Sequence, residues 1–339
     1  MATKRTSRKP LTGQVALVAG ATRGAGRGIA RALGEAGATV YCTGRSVTGK
    51  PSPYGRPETI DETAKMITAA GGTAIAVRVD HTVEKDVKAL FRRILRAHKR
   101  IDVVVDSVAG EDPLMGLYGQ LWQADLKAAD AVFRQGLTSR ITTAKHAALA
   151  MMPAKRGLIV EVTEADMIGG GGNPMAQAVK TGQKVLPLLW AAELAPYRIA
   201  VIAVTPGFLR SESMLEHFGV TEETWRDAGK KDSNFLASES PLFVGRAIAA
   251  LAADPGVHDR TGMLYGSWEL GRDYNLSDYD GRRPDWGHHA IDFSVLPPEL
   301  IELFRRGTDL ELQWLTTLAK RTRRFRSQIP SRAGASPHG

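Results

Sequence analysis

The chain has 339 residues, 43% hydrophobic and 24% charged, with a formal net charge of +9, which suits a soluble globular protein of one large domain plus an extension, or of two small domains. Lys4, Arg5, Arg8 and Lys9 place +4 in residues 1–10, and Lys320, Arg321, Arg323, Arg324, Arg326 and Arg332 place +6 in residues 320–339, so the body carries −1. A near-neutral body with solvated basic tails argues against nucleic acid; no apolar run reaches the roughly 18 residues that span a bilayer; and a single cysteine, Cys42, excludes an internal disulfide and fits the cytoplasm.

Seven β-rich apolar runs follow in order: QVALVAG (14–20), TVYCTG (39–44), TAIAVRVD (73–80), IDVVVDSVAG (101–110), GLIVEVT (157–163), RIAVIAVTPG (198–207) and the short TGMLYG (261–266). Unbroken apolar strands are expected when both faces of a parallel sheet are covered. Helix-length segments lie between them, among them 28–36, 84–97, 184–194 and 242–252. Strand–helix alternation with right-handed crossovers predicts an α/β fold: an open, doubly wound, Rossmann-type parallel sheet with helices on both faces. The chain divides into a basic tail over 1–10, the sheet domain over 11–270, a partly helical extension over 271–326 and a disordered end over 327–339.

The first strand runs into Val18-Ala-Gly20-Ala-Thr22-Arg23-Gly24-Ala-Gly26-Arg-Gly28. Glycines placed directly after a strand and opening a helix let backbone amides approach a pyrophosphate at the helix N-terminus. The spacing is G-x-x-x-G-x-G. With Asp80-His81 after the third strand, Ala109-Gly110 after the fourth, Lys180, and the stretch AAELAPYRIAVIAVTPGFLRSE, the chain resembles the short-chain dehydrogenase/reductase family over residues 11–270.

The cofactor expectation follows. A ribose 2′-hydroxyl is usually held by an acid at the end of the second strand, but that end reads Tyr41-Cys42-Thr43-Gly44-Arg45-Ser46. Arg23 and Arg45 suit a 2′-phosphate, since a guanidinium fork matches phosphate oxygens, so NADPH is expected over NADH. The resemblance implies Gly20, Thr22, Gly24, Gly26, Gly44 and Ser46 around the phosphates and adenosine, with Asp80 and His81 flanking the adenine. It implies Ser107, Val108, Ala109, Gly110, Val162 and Lys180 on the nicotinamide-ribose side. Pro206, Gly207, Phe208, Leu209 and Ser211 would meet the carboxamide. Where the family usually has two asparagines, this chain has Asp106 and Ser107.

The family's active site combines a serine after the fifth strand, a tyrosine, a lysine four residues later and often an asparagine in the preceding helix. Laid on that pattern, Glu164 falls at the serine, Ala176 at the tyrosine, and Gly136 near the asparagine; only Lys180 is kept. No tyrosine lies between Tyr118 and Tyr197. Hydride addition to a ketone makes an alkoxide that needs a proton and hydrogen-bond donors, which an alanine does not supply. Addition to an iminium carbon gives a neutral amine, and a nearby carboxylate stabilises the cation. If the substrate arrives as a hemiaminal, a carboxyl such as Glu164 or Asp166, while it carries a proton, can expel the hydroxyl as water. Strand alternation puts Val160, Val162 and Glu164 on one side and Glu161 and Thr163 on the other.

The expected function is therefore an NADPH-dependent reductase of a C=N carbon in a bulky small molecule, with Glu164, Asp166 and Lys180 as catalytic candidates. The alternatives are a carbonyl reductase with a non-tyrosine proton donor, and a non-catalytic NADP-binding regulatory protein. The resemblance implies a homo-oligomer, dimer or tetramer. No metal is expected: adjacent His288 and His289 point apart on any regular element. His217 and Trp225 lie where the family places its substrate-covering helix, and Trp268, Tyr274, Tyr279 and Trp286 lie where they would close the same pocket or pack on a neighbouring subunit.

Overall fold

The computed structural model describes residues 8–52, 55–111, 114, 121–164 and 174–291. Seven parallel strands form one sheet: β1 (Val15–Ala19), β2 (Thr39–Gly44), β3 (Thr73–Arg78), β4 (Val103–Asp106), β5 (Gly157–Val162), β6 (Ile199–Thr205) and β7 (Leu264–Gly266), in the order β3-β2-β1-β4-β5-β6-β7. All seven apolar runs are strands. The order reverses between β1 and β4, which opens a crevice beyond the carboxyl ends of the strands.

Helices cover both faces. On one side Leu158, Val160 and Val162 of β5 join a core with Ile29 and Leu33 of α1 (Gly24–Glu35) and Val244 and Ile248 near the chain's C-terminal part. On the other, Ile159 joins Phe91 and Ile94 of α3 (Glu84–His98). Residues Ile60–Ala69 form α2, whose cap Thr59 accepts the Glu62 amide at 3.1 Å. Leu126–Phe133 form α4, which runs through a π-helical turn at Arg134–Thr138 into α5, Ser139–Met151. Residues Pro174–Leu194 form α6, starting ten residues before the helix predicted from 184.

Three further helices follow β6: α7 (Glu212–Phe218), α8 (Pro241–Ala253) and, after β7, α9 (Ser267–Asp273). The last described helix is α10 (Trp286–Ile291). Gly28 of α1 and Gly245 of α8 fix the crossing of their helices. A side chain on Gly28 would run into the Pro241 carbonyl, and one on Gly245 into that of Gly28. No helix among the described residues is long and apolar enough to cross a membrane. The expected basic start, the rest of the extension after 291 and the expected disordered end over 327–339 lie partly or wholly outside the described residues.

Candidate active site

The glycine turn is shaped by what glycine leaves out. Gly20 has φ +81° and Gly24 φ +52°, a region that other residues adopt only under strain. A Cβ on Gly20 would overlap the Ser107 carbonyl, and one on Gly26 the Gly20 carbonyl. Gly20 and Ala21 both donate to the Thr43 oxygen at 3.0 Å, tying the turn to the end of β2. No acid occupies the first turn of α1, so its positive end faces the crevice uncompensated from within. The Gly24 amide already holds an anion: a Glu212 carboxylate oxygen from α7 sits 2.7 Å away, with Arg27 Nη1 3.4 Å from its other oxygen.

Twelve residues expected to hold the cofactor line one cleft: Gly20, Thr22, Arg23, Gly44, Arg45, Ser46, Asp80, His81, Ser107, Val108, Ala109 and Gly110. Counted to its open mouth, the cleft encloses about 720 Å³. Ser52, Val79, Thr82 and Gln135 line it as well, and the sequence reading did not single them out. Arg45 reaches across: a Cβ on Gly110 would lie 3.2 Å from its Nη2. The His81 ring is buried, with Thr43 Oγ1 and Thr143 Oγ1 each 2.9 Å from one ring nitrogen. Burial pushes its proton affinity down, against the pull of Asp106 and Asp80. Asp80 accepts from the Thr82 amide and hydroxyl at 2.9 and 2.7 Å.

The loop after β6 closes over the turn. A Cβ on Gly24 would lie 3.6 Å from Ser211 Cβ and 4.0 Å from Leu209 Cδ2. The Gly207 amide donates to Glu239 Oε2 at 3.0 Å, and Ser267 Oγ donates to the same oxygen. Burial, then the charge of Asp278, raises the Glu239 carboxyl to about 8 against the hydrogen bonds it accepts. Trp286 sits where a Gly207 side chain would be, and its ring is 5.6 Å from that of Phe208. Trp225 is 2% exposed and packs on Phe235, with Arg210, Arg226 and Arg282 guanidinium groups 4.2 to 4.6 Å from its ring.

The opposite wall carries charge. Strand β5 ends at Val162, so alternation lapses before Glu164, whose Oε1 accepts from Lys180 Nζ at 3.1 Å. Ala176 stands one turn before Lys180 on α6. Lys180 Nζ is also 3.5 Å from Glu111 Oε1. Asp166 lies outside the described residues. Behind this wall Arg140 joins two strand ends: its guanidinium donates to Asp106 O, Glu161 Oε2, Val162 O and Val108 O at 2.7 to 3.3 Å. Burial, then the Asp106 charge, pushes the Glu161 carboxyl up to about 8 although Arg140 pulls it down. Glu111, Arg140 and Gln183 were missed in the sequence, where a lone charged residue gives no sign of being buried. Among the described residues no group of three His, Cys, Asp or Glu side chains could hold a metal ion.

The crevice, the glycine turn and the sheet order define a nicotinamide-dependent oxidoreductase. The chain belongs to the short chain dehydrogenase family, whose sequence profile matches residues 14–218. It is 33% identical to mouse (Mus musculus) dehydrogenase/reductase SDR family member 1 over 278 residues, 80% of this chain and 85% of that protein. A 3-oxoacyl-[acyl-carrier-protein] reductase of Synechocystis is 32% identical over 75% of this chain and 95% of its own. Among solved structures, a metagenomic short-chain oxidoreductase in complex with NADP matches with a TM-score of 0.57 and 27% identity, covering 76% of this chain and 96% of the other.

Proposed function

We propose that this oxidoreductase uses NADPH to reduce a C=N carbon, an imine or an iminium formed from a hemiaminal, in a bulky small molecule. The observation that carries this reading is the Glu164–Lys180 pair on the wall where the family pattern sets a hydroxyl donor, with Ala176 one turn away. NADPH is supported by Arg23 and Arg45 on the cleft and by the solved relative that binds NADP. The glycine turn suits the pyrophosphate, and the loop over 206–211 the carboxamide; Val162 and Lys180 would hold the nicotinamide-ribose side. When bound, the cofactor supplies the hydride.

The chain's own residues do the rest. A Glu164 carboxyl passes its proton to the hemiaminal hydroxyl, the C–O bond breaks, and water leaves as the C=N⁺ bond forms. The carboxylate left behind faces the cation and keeps the Lys180 ammonium as hydrogen-bond donor. Reduction then yields a neutral amine with no alkoxide to protonate. Asp166 is the second candidate acid. Exposed Ile141 and Leu149 on α5 support a homo-oligomer, dimer or tetramer. Buried Cys42, whose thiol burial pushes up to about 12, suits a reducing, cytoplasmic setting. A carbonyl substrate is the second reading, favoured by the cyanobacterial relative named for reducing a 3-oxoacyl substrate. NADPH consumption measured with a panel of cyclic imines and hemiaminals beside a ketone panel decides. Turnover of the first supports the C=N reading, whereas turnover of ketones alone replaces it.

A further inference from the structure

Glu111 follows the Ala109-Gly110 turn, and nothing in the mechanism above uses it. Its side chain is fully buried. Oε1 accepts from Gln183 Nε2 at 2.9 Å and lies 3.5 Å from Lys180 Nζ, both on α6. Oε2 has no hydrogen-bond partner among the described residues. Room for this carboxylate is made deliberately tight: a Cβ on Gly136, in the π-helical turn, would lie 3.2 Å from Glu111 Cδ, and the Gly136 carbonyl takes the second Gln183 hydrogen bond at 3.0 Å. Burying a carboxylate is costly unless it is paired or used.

Among the described residues its ammonium partner is Lys180, which is already engaged with Glu164. Lys180 stands between Glu111 and Glu164, the first buried and the second half exposed, so two carboxyl groups share one ammonium. The charges behind them do not correct the balance. The single guanidinium of Arg140 meets the Glu161 carboxyl at 3.0 Å and also feels the charge of Asp106. Among the described residues of this cluster, four carboxyl groups, Asp106, Glu111, Glu161 and Glu164, meet two cations, Arg140 and Lys180.

We propose that Glu111 is a positioning and specificity-determining residue which, through Lys180, keeps the substrate pocket net negative and selects molecules bearing positive charge beside the reacting carbon, iminium ions and protonated or quaternary amines. This deepens the C=N reading and rests on it for the identity of the reacting group, but its test does not need turnover. The full-length protein, saturated with NADP⁺, is titrated by calorimetry with a cyclic quaternary ammonium ion and with its uncharged carbon isostere. The wild type should prefer the cation. Glu111→Gln keeps the shape and an oxygen for Gln183, and should shift the ratio of the two dissociation constants by about 10–100-fold towards the neutral ligand, the scale of one charge lost at several ångströms in a site of intermediate dielectric. Glu111→Asp keeps the charge and should keep the ratio even if both affinities fall; it also reads the proposal should the glutamine variant fail to fold. Equal loss of both ligands in Glu111→Gln, or no cation preference in the wild type, overturns the proposal. The imine and ketone panels test the C=N reading separately, because a pocket can prefer cations and still reduce only ketones.

Discussion

Two walls meet at the carboxyl edge of the sheet and are built from different materials. The wall proposed for the cofactor, from β1, β2 and the end of β4, is shaped at its turn by backbone: glycines whose missing side chains leave room for neighbouring carbonyls, and the Gly24 amide that meets the Glu212 carboxylate. The opposite wall, from β5 and α6, is side chain: Glu164, Lys180, Glu111 and Gln183. A backbone wall tolerates little change, since a single Cβ overlaps main chain. A side-chain wall can exchange its chemistry while the strands beneath stay where they are. On the family pattern laid on this chain, the proposed reading keeps the turn and Lys180 and sets Glu164 and Ala176 where a serine and a tyrosine are expected.

The largest test of that contrast is Glu164→Gln. Loss of a general acid lowers rate by about 10²–10⁴-fold, and kcat for C=N substrates should fall in that range while the NADPH dissociation constant holds. Full activity would remove Glu164 from the mechanism. On the cofactor wall, Arg45→Asp should do the reverse, weakening NADPH by about 1.5–3 kcal/mol, the worth of a hydrogen bond to a charged group, and leaving NADH nearly as before. Tryptophan fluorescence titration reads both; equal affinity of the wild type for the two cofactors would sink the 2′-phosphate assignment.

A smaller effect concerns Glu161, behind the wall proposed to carry the catalytic groups. Its proton is held more tightly in the folded chain, about 8 against an ordinary value of about 4.5. The stabilising contribution is therefore complete below about 4.5 and is lost as pH climbs through about 8. Glu161→Gln cannot ionise, so its melting temperature relative to wild type should rise between pH 6 and pH 9. Glu239 is shifted in the same direction but is common to both proteins and cancels in the difference. A gap that stays constant with pH would mean that Arg140 keeps Glu161 charged. The smallest effect is expected from Ala176→Tyr, which should not raise C=N turnover, because that step leaves no alkoxide to protonate. A gain with ketones alone would show that the side-chain wall can be returned to carbonyl chemistry.

Sequence reading found the sheet because parallel strands buried on both faces must be continuously apolar, and each of the seven runs is. It found the cleft because the glycine turn is local in sequence. It placed the start of α6 too late, since that helix packs through polar Lys180, Gln183 and Lys184, all buried, and apolar periodicity is blind to such a face. Glu164 was legible only by laying the chain on a family pattern. Its orientation was not, because side-chain alternation ends with the strand. Trp225, weighed as pocket lining or packing, is packing. Glu111 and Arg140 are ordinary charged letters until β4, the π-helical turn and α6 bring them together.

Trp286 and its neighbours set how long a stretch of this chain can stand alone. The family match ends at residue 218, yet Arg210, 1% exposed, lies 3.4 Å from Asp278, and Asp278 in turn accepts the Ser240 amide at 2.8 Å. A fragment ending at β7 would strand a buried guanidinium short of one of its carboxylates and uncover Gly207. A fragment kept to α10 is therefore expected to be more stable than one cut at β7, and amide exchange in the loop over 206–211 should report on the integrity of residues some eighty positions further along the chain, about the span from Gly207 to Trp286.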